Sequence, residues 1–212
     1  MGNHIQGCLY LTTGEASDCH CAHEERHYWW LAARSLASAI IQGFLSALSG
    51  SLGVRADAVH SATDGAENIV SAIVARQARF SPNEDAVRWW GAAVSTLLLV
   101  FASFWIVSET LERLREPRLI DTGLAAFGAC VGFLFNLWQF IDHANVREEH
   151  KNLTHWFQWL HLVLDISTSV TAGLGVLFVI AGFPLGDTIA SLAIVGIIWF
   201  LIALRVRNSF KP

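Results

Sequence analysis

Two short runs in this chain carry the residue types that hold divalent metal ions. DAVHSATD places His60 four residues ahead of Asp64, and HLVLD places His161 four residues ahead of Asp165. Four residues is about one helical turn, so in an α-helix each His and Asp share a face and can aim at a common point. Two such faces brought together offer two imidazole nitrogens and two carboxylate oxygens, each able to sit about 2.0–2.2 Å from one ion, a tetrahedral set suited to Zn2+. Fe2+, Co2+, Mn2+ and Cd2+ accept the same donors, because ligand type biases selectivity without fixing it. The two carboxylates balance the charge of a divalent ion. Because the ion and protons compete for the same atoms, binding is linked to deprotonation.

Both runs interrupt long apolar stretches. An ionisable side chain at the middle of a membrane span costs roughly 2.5 kcal/mol or more, so it persists only with partners or a wet cavity. A single buried His or Asp is often a helix-to-helix hydrogen bond and nothing more. The same ordered pair in two separate spans argues instead for one shared metal site made of His60, Asp64, His161 and Asp165. Asp57, one turn before His60, lies in the same span without a role read from spacing.

The elements that must position these residues follow from composition. The chain is 53% hydrophobic and only 15% charged, too apolar and too charge-poor for an ordinary soluble domain. At roughly 20 apolar residues per crossing, its 212 residues have room for six spans and little else. The apolar segments run about Tyr28 to Leu52, Ala56 to Ala75, Val87 to Thr110, Ile120 to Ile141, Trp156 to Ile180 and Gly186 to Leu204. Gly, Pro, Ser and charged residues separate them. The expected fold is an all-α membrane protein with six transmembrane helices. Its expected organisation is a polar N-terminal tail over 1–27, a six-helix domain over 28–206 and a short tail over 207–212.

Six spans put both termini on one side. Arg26, Arg76, Arg79, Arg88, Arg147, Lys151, Arg205, Arg207 and Lys211 fall on the face of the termini, and Arg55, Arg113, Arg115 and Arg118 on the other. The excess of positive charge makes the termini cytoplasmic. Tryptophans at segment ends, such as Trp29, Trp30, Trp89, Trp90, Trp156 and Trp159, suit the interfacial belts. No apolar signal-peptide core precedes the first span. The formal charge of −4 is spread out and gives no reason to expect a nucleic-acid partner.

Weaker signals remain. The run CHCAHEERH groups Cys19, His20, Cys21, His23, Glu24 and His27 beside the first span, a ligand-rich stretch whose spacing matches no standard structural zinc site. His143, His150 and His155 are expected in the loop between the fourth and fifth spans, as solvated histidines. Cys130 is expected to be a packed thiol. Gly173, Gly175 and Gly196 are expected to permit close helix packing.

These residues resemble those of the cation diffusion facilitators, six-span metal transporters. ADAVHSATD is similar to the family's ADAxHxxxD stretch and HLVLDISTSVTAGLG to its HxxxDxxxS run. GDTIASLAIVGIIWFLIAL resembles the DPIASL opening of its sixth span, with Thr188 where proline is usual. SETLERLREP and Asn136 also fit. The resemblance implies metal coordination by His60, Asp64, His161 and Asp165, with the His of the second span associated with a preference for zinc. It implies a zinc/proton antiporter, not an enzyme, exporting the ion from the cytoplasm by alternating access. It also implies a bacterial inner membrane and a homodimer. Members usually continue into a cytoplasmic ferredoxin-like domain, whereas this sequence stops at Pro212; the expectation is a protein naturally without that domain, pairing through membrane helices. The loop from Arg76 to Val87 lacks histidines for a second, interfacial metal site.

Two other functions fit less well. A membrane haem protein would use facing histidines as axial ligands, but has no use for a carboxylate one turn from each. An intramembrane metalloenzyme would need an open coordination position and a general base, and no HExxH-like motif is present. A passive channel for the same ion differs only in coupling.

Overall fold

The computed structural model describes residues 20–78, 80–81, 83–116, 118–144 and 153–209. Among them are six helices and no strand: α1 (His20–Ser49), α2 (Leu52–Ala78), α3 (Glu84–Arg115), α4 (Thr122–Ala144), α5 (Leu153–Ile180) and α6 (Gly186–Ser209). Each expected span falls mainly on one of them, although the first extends three residues too far, to Leu52 at the start of α2, and the fourth begins two residues early, at Ile120; elsewhere the helices match the apolar segments or run past them. The first begins at His20, inside the stretch assigned to the N-terminal tail. Five of the six are long and apolar enough to cross a membrane. The sixth is α2, whose hydropathy is lowered by Arg55, Asp57, Asp64, Glu67 and Arg76. Those charges are tolerable because α2 is the centre of the bundle: it packs against each of the other five helices, and Asp57, Asp64 and Glu67 are all buried. Large apolar side chains of the outer helices, among them Phe44, Leu97, Phe101 and Phe127, point outward to where lipid would lie.

Local chemistry ends each helix where the chain must turn. Gly50 closes α1 with φ of 72°, a left-handed conformation that a side chain would strain. Arg113 of α3 donates to its carbonyl at 2.8 Å. Gly182 (φ 92°) ends α5: its N–H bonds the Val179 carbonyl and that of Phe183 the Phe178 carbonyl, the paired bonds of a Schellman turn. Asn83 caps α3 through Ala86 N–H, and Asp121 caps α4 through Gly123 and Leu124 N–H. The start of α2 is capped twice. Ser51 Oγ accepts from Val54 N–H, and Asp187, from the first turn of α6, accepts from Leu52 N–H at 2.6 Å, Gly53 N–H at 3.1 Å and Ser51 Oγ at 2.5 Å. One buried carboxylate thus joins α6 to the positive end of the helix that carries two of the four candidate ligands.

The apolar core lies toward that same end. Val54, Ala125, Ala129, Ala172, Val176 and Ile194 pack there, and Leu99, Ile106 and Ile198 continue the contact between α3 and α6. Gly175 meets α6 so closely that an added Cβ would fall 3.1 Å from the Gly186 carbonyl oxygen. Gly196 does not fit the expectation of close packing, since nothing lies within 4 Å of the position of its Cβ; it faces outward on α6 and removes bulk from the surface, not from a helix contact. Cys130 likewise departs from the expected packed thiol. It is exposed, because its turn of α4 buries Ala129 and Gly132 instead.

Candidate metal centre

The four residues singled out by spacing converge. His60 and Asp64 come from α2, His161 and Asp165 from α5, and all four are buried. His60 Nε2 lies 3.2 Å from Asp165 Oδ1 and 3.7 Å from Asp64 Oδ2. His161 Nε2 lies 3.5 Å from Asp64 Oδ1 and 3.7 Å from Asp165 Oδ2. Each imidazole therefore faces the carboxylate of its own helix and that of the other helix, and the two rings stand edge to face with centroids 6.4 Å apart. Two donors on one tetrahedral zinc, at about 2.0–2.1 Å each, would be roughly 3.3 Å apart. The observed separations surround that value. Donor atoms of His60, Asp64 and Asp165 lie within 4.8 Å of one another, and His161 closes the ring from the other side.

Behind this centre is a second buried polar group that spacing alone did not assign. Asp57 accepts from Gln42 Nε2 at 2.5 Å, Thr168 Oγ1 at 2.7 Å and Ser169 Oγ at 2.7 Å. Gln42 Oε1 in turn accepts from Ser38 at 3.1 Å and Ser61 at 3.3 Å. Asn136 of α4 donates to the Asp165 carbonyl at 2.9 Å and to Ser169 Oγ at 3.1 Å. This network ties α1, α2, α4 and α5 together one turn from the candidate ligands. A Cβ on Gly132 would overlap Gln42 and Asp57, so the glycine is where α4 makes room for the network. Asp57 was visible in the sequence only as a further charge within the span, one turn before His60, with no role assigned to it. Gln42, Thr168 and Ser169 gave no signal, because single Gln, Ser and Thr residues in a span are ordinary.

The candidate residues outside the centre divide. Cys19 lies outside the described residues, as do His150 and the side chains of His20, Cys21, His23, Glu24 and His155. His27 is described, half-buried on α1. His143 is not a solvated loop residue as expected: it lies in the last turn of α4 and is 3% exposed, because α4 runs beyond the apolar segment to Ala144.

With this geometry in hand, similarity to known proteins is decisive about descent. The profile of the cation efflux transmembrane domain matches residues 30–211, most of the chain. This chain belongs to the cation efflux family. It is 32% identical over 164 residues to the zinc transporter ZitB of Escherichia coli, covering 73% of this chain and 50% of ZitB. To the magnetosome protein MamB of Magnetospirillum gryphiswaldense it is 25% identical over 187 residues, covering 84% of this chain and 62% of MamB. A probable cation efflux system protein of Mycobacterium tuberculosis is 27% identical over 185 residues, covering 82% and 54%. The chain thus spans between half and two thirds of the length of these relatives. The residues that build the centre all fall within the matched transmembrane domain of the family.

Proposed function

We propose that this member of the cation efflux family carries divalent metal ions across a membrane, binding them at His60, Asp64, His161 and Asp165. The carrying observation is the ring of four donors, two imidazoles and two carboxylates from α2 and α5, separated by 3.2 to 3.7 Å. Membership of the family and the zinc transporter among the relatives support the reading, and the nitrogen and oxygen donor set favours Zn2+.

The chemistry of transport follows from where the donors sit. Two carboxylates in a buried, charge-poor setting supply the negative charge that a dehydrated divalent ion needs. When the ion leaves, the same side chains are best kept buried by taking up protons, so ion and protons exchange at one place. That exchange is the basis of zinc/proton antiport. Alternation then requires only that α2 and α5 open together to one side and then to the other, with the site carried between them. The relatives named above are bacterial, and the positive charge near the termini fits a cytoplasmic location for both ends. We therefore assign export from the cytoplasm across the bacterial inner membrane.

The test is uptake by proteoliposomes containing the full chain. Zinc accumulation should require an imposed pH gradient and be lost in Asp64→Ala and Asp165→Ala. Uptake that ignores the gradient would replace the antiporter with a channel, and uptake that survives both substitutions would remove the assigned site. Competition among Zn2+, Cd2+, Co2+, Fe2+ and Mn2+ in the same assay ranks the ions.

A further inference from the structure

The polar faces that build the buried centre continue beyond it, toward the end of the bundle where α1 begins and α4 ends. On α2, the face of His60 and Asp64 returns at Glu67, seven residues after His60 and one turn beyond Asp64; this carboxyl group is 6% exposed. On α4, the face of Asn136 and Gln139 ends at His143. On α1, the face of Ser35, Ser38 and Gln42 begins at His27. The Ser35 to Gln139 hydrogen bond, 3.2 Å, and the packing of Gly65 against Leu36 set Glu67 in the layer of Ser35 and Gln139, between the centre and the two histidines. Residues 116 positions apart in sequence then meet: the rings of His27 and His143 have centroids 5.8 Å apart and are tilted by 34°. Two imidazoles sharing one divalent ion at about 2.1 Å from each nitrogen stand roughly 5–6 Å apart between ring centres. Of the two arginines on this stretch of α1, Arg26 is exposed to solvent beside His27, and Arg34 is paired with Asp142 and lies over the Trp138 ring at 4.4 Å.

We propose that His27 and His143 form an outer station for a borderline divalent cation such as Zn2+, separate from the buried four-residue centre and on the way to it, with Glu67 in the layer between the two. Two imidazoles leave coordination positions for water, so this station holds an ion less tightly than four protein donors do and can pass it on, with the Glu67 carboxyl group next on the way to the centre. The inference rests on the reading of the buried centre as an ion site only in calling the station a way in; the binding itself is independent.

Zinc bound to the purified full chain, counted by equilibrium dialysis with elemental analysis, tests it. Asp64→Ala/Asp165→Ala should lose one ion relative to the unaltered chain and keep a second, weaker one. Adding His27→Gln, or separately His143→Gln, to that background should weaken the remaining ion at least tenfold, and Glu67→Gln should weaken it less. His27→Gln is the safer variant for folding, since His27 is only half-buried. Loading with Co2+ adds a signature that packing alone would not move: the visible bands of the remaining ion should shift when either histidine is replaced. A remaining ion indifferent to both histidines, held by other groups, would overturn the outer station, as would the absence of any ion in the Asp64→Ala/Asp165→Ala protein. An ion count that does not fall in that protein would instead contradict the buried centre and leave the effect of the two histidines to decide the station.

Discussion

Asp57 and Asp64 lie seven residues apart on one face of α2, both buried, yet their surroundings differ in kind. Asp57 is met by an amide and two hydroxyls at 2.5 to 2.7 Å, donors that satisfy a carboxylate without any ion. Asp64 and its counterpart Asp165 are faced by imidazoles at 3.2 to 3.7 Å, mostly too far for good hydrogen bonds and well placed around a common point. Asp187, with two backbone N–H groups and one hydroxyl on its carboxylate, is of the first kind. In an apolar bundle, then, burial alone does not separate a structural aspartate from one proposed to bind an ion; the identity and distance of its neighbours do. Imidazoles can bind a metal and exchange protons, whereas serine and threonine hydroxyls hold a carboxylate in place.

The sharpest way to break the comparison is to replace the two kinds separately. Asp64→Ala or Asp165→Ala should reduce zinc uptake by at least about a hundredfold, since removing one charged donor of four costs several kcal/mol of ion binding; the helical content of the purified protein, followed by circular dichroism, should not change. Asp187→Ala should act on stability. It leaves two buried N–H groups and a hydroxyl without an acceptor, a loss of about 2–4 kcal/mol, to be seen as a lower thermal unfolding midpoint in detergent. Zinc affinity should also fall with pH, because both imidazoles must be unprotonated to bind; on the order of tenfold or more should be lost between pH 7.5 and 5.5. The smallest effect is expected from Gly132→Ala. Its methyl group displaces the ends of the Gln42 and Asp57 side chains, at a cost of about 1–3 kcal/mol in stability. Uptake should slow but continue, and measured together with the unfolding midpoint it shows how firmly the Asp57 network holds α2 and α5 in register.

Much of this was legible in the sequence. The six apolar segments predicted the six helices, and the repeated His-x-x-x-Asp spacing selected the four residues that converge, because helical periodicity alone puts each pair on one face. Helix ends were less legible, since α1, α3 and α4 run on through polar and charged residues that a count of apolar positions discounts. That is why His143, expected in a loop, is buried in a helix. The scaffold of the centre was hidden for a different reason. The bonds of Asp57 reach Gln42 and Thr168, 15 and 111 residues away, and no local pattern records such pairings. Asp187 was visible only as part of a resemblance, and its role as a cap on a helix 135 residues earlier required the fold.

The contrast between the two kinds of aspartate is tested most directly by zinc-binding titrations of the purified full chain carrying His143→Gln, with Asp57→Asn and Asp165→Asn compared side by side. The account predicts that Asp165→Asn loses the buried ion while Asp57→Asn still binds it, more weakly. Retention of the ion by Asp165→Asn together with its loss in Asp57→Asn would contradict the assignment of the centre.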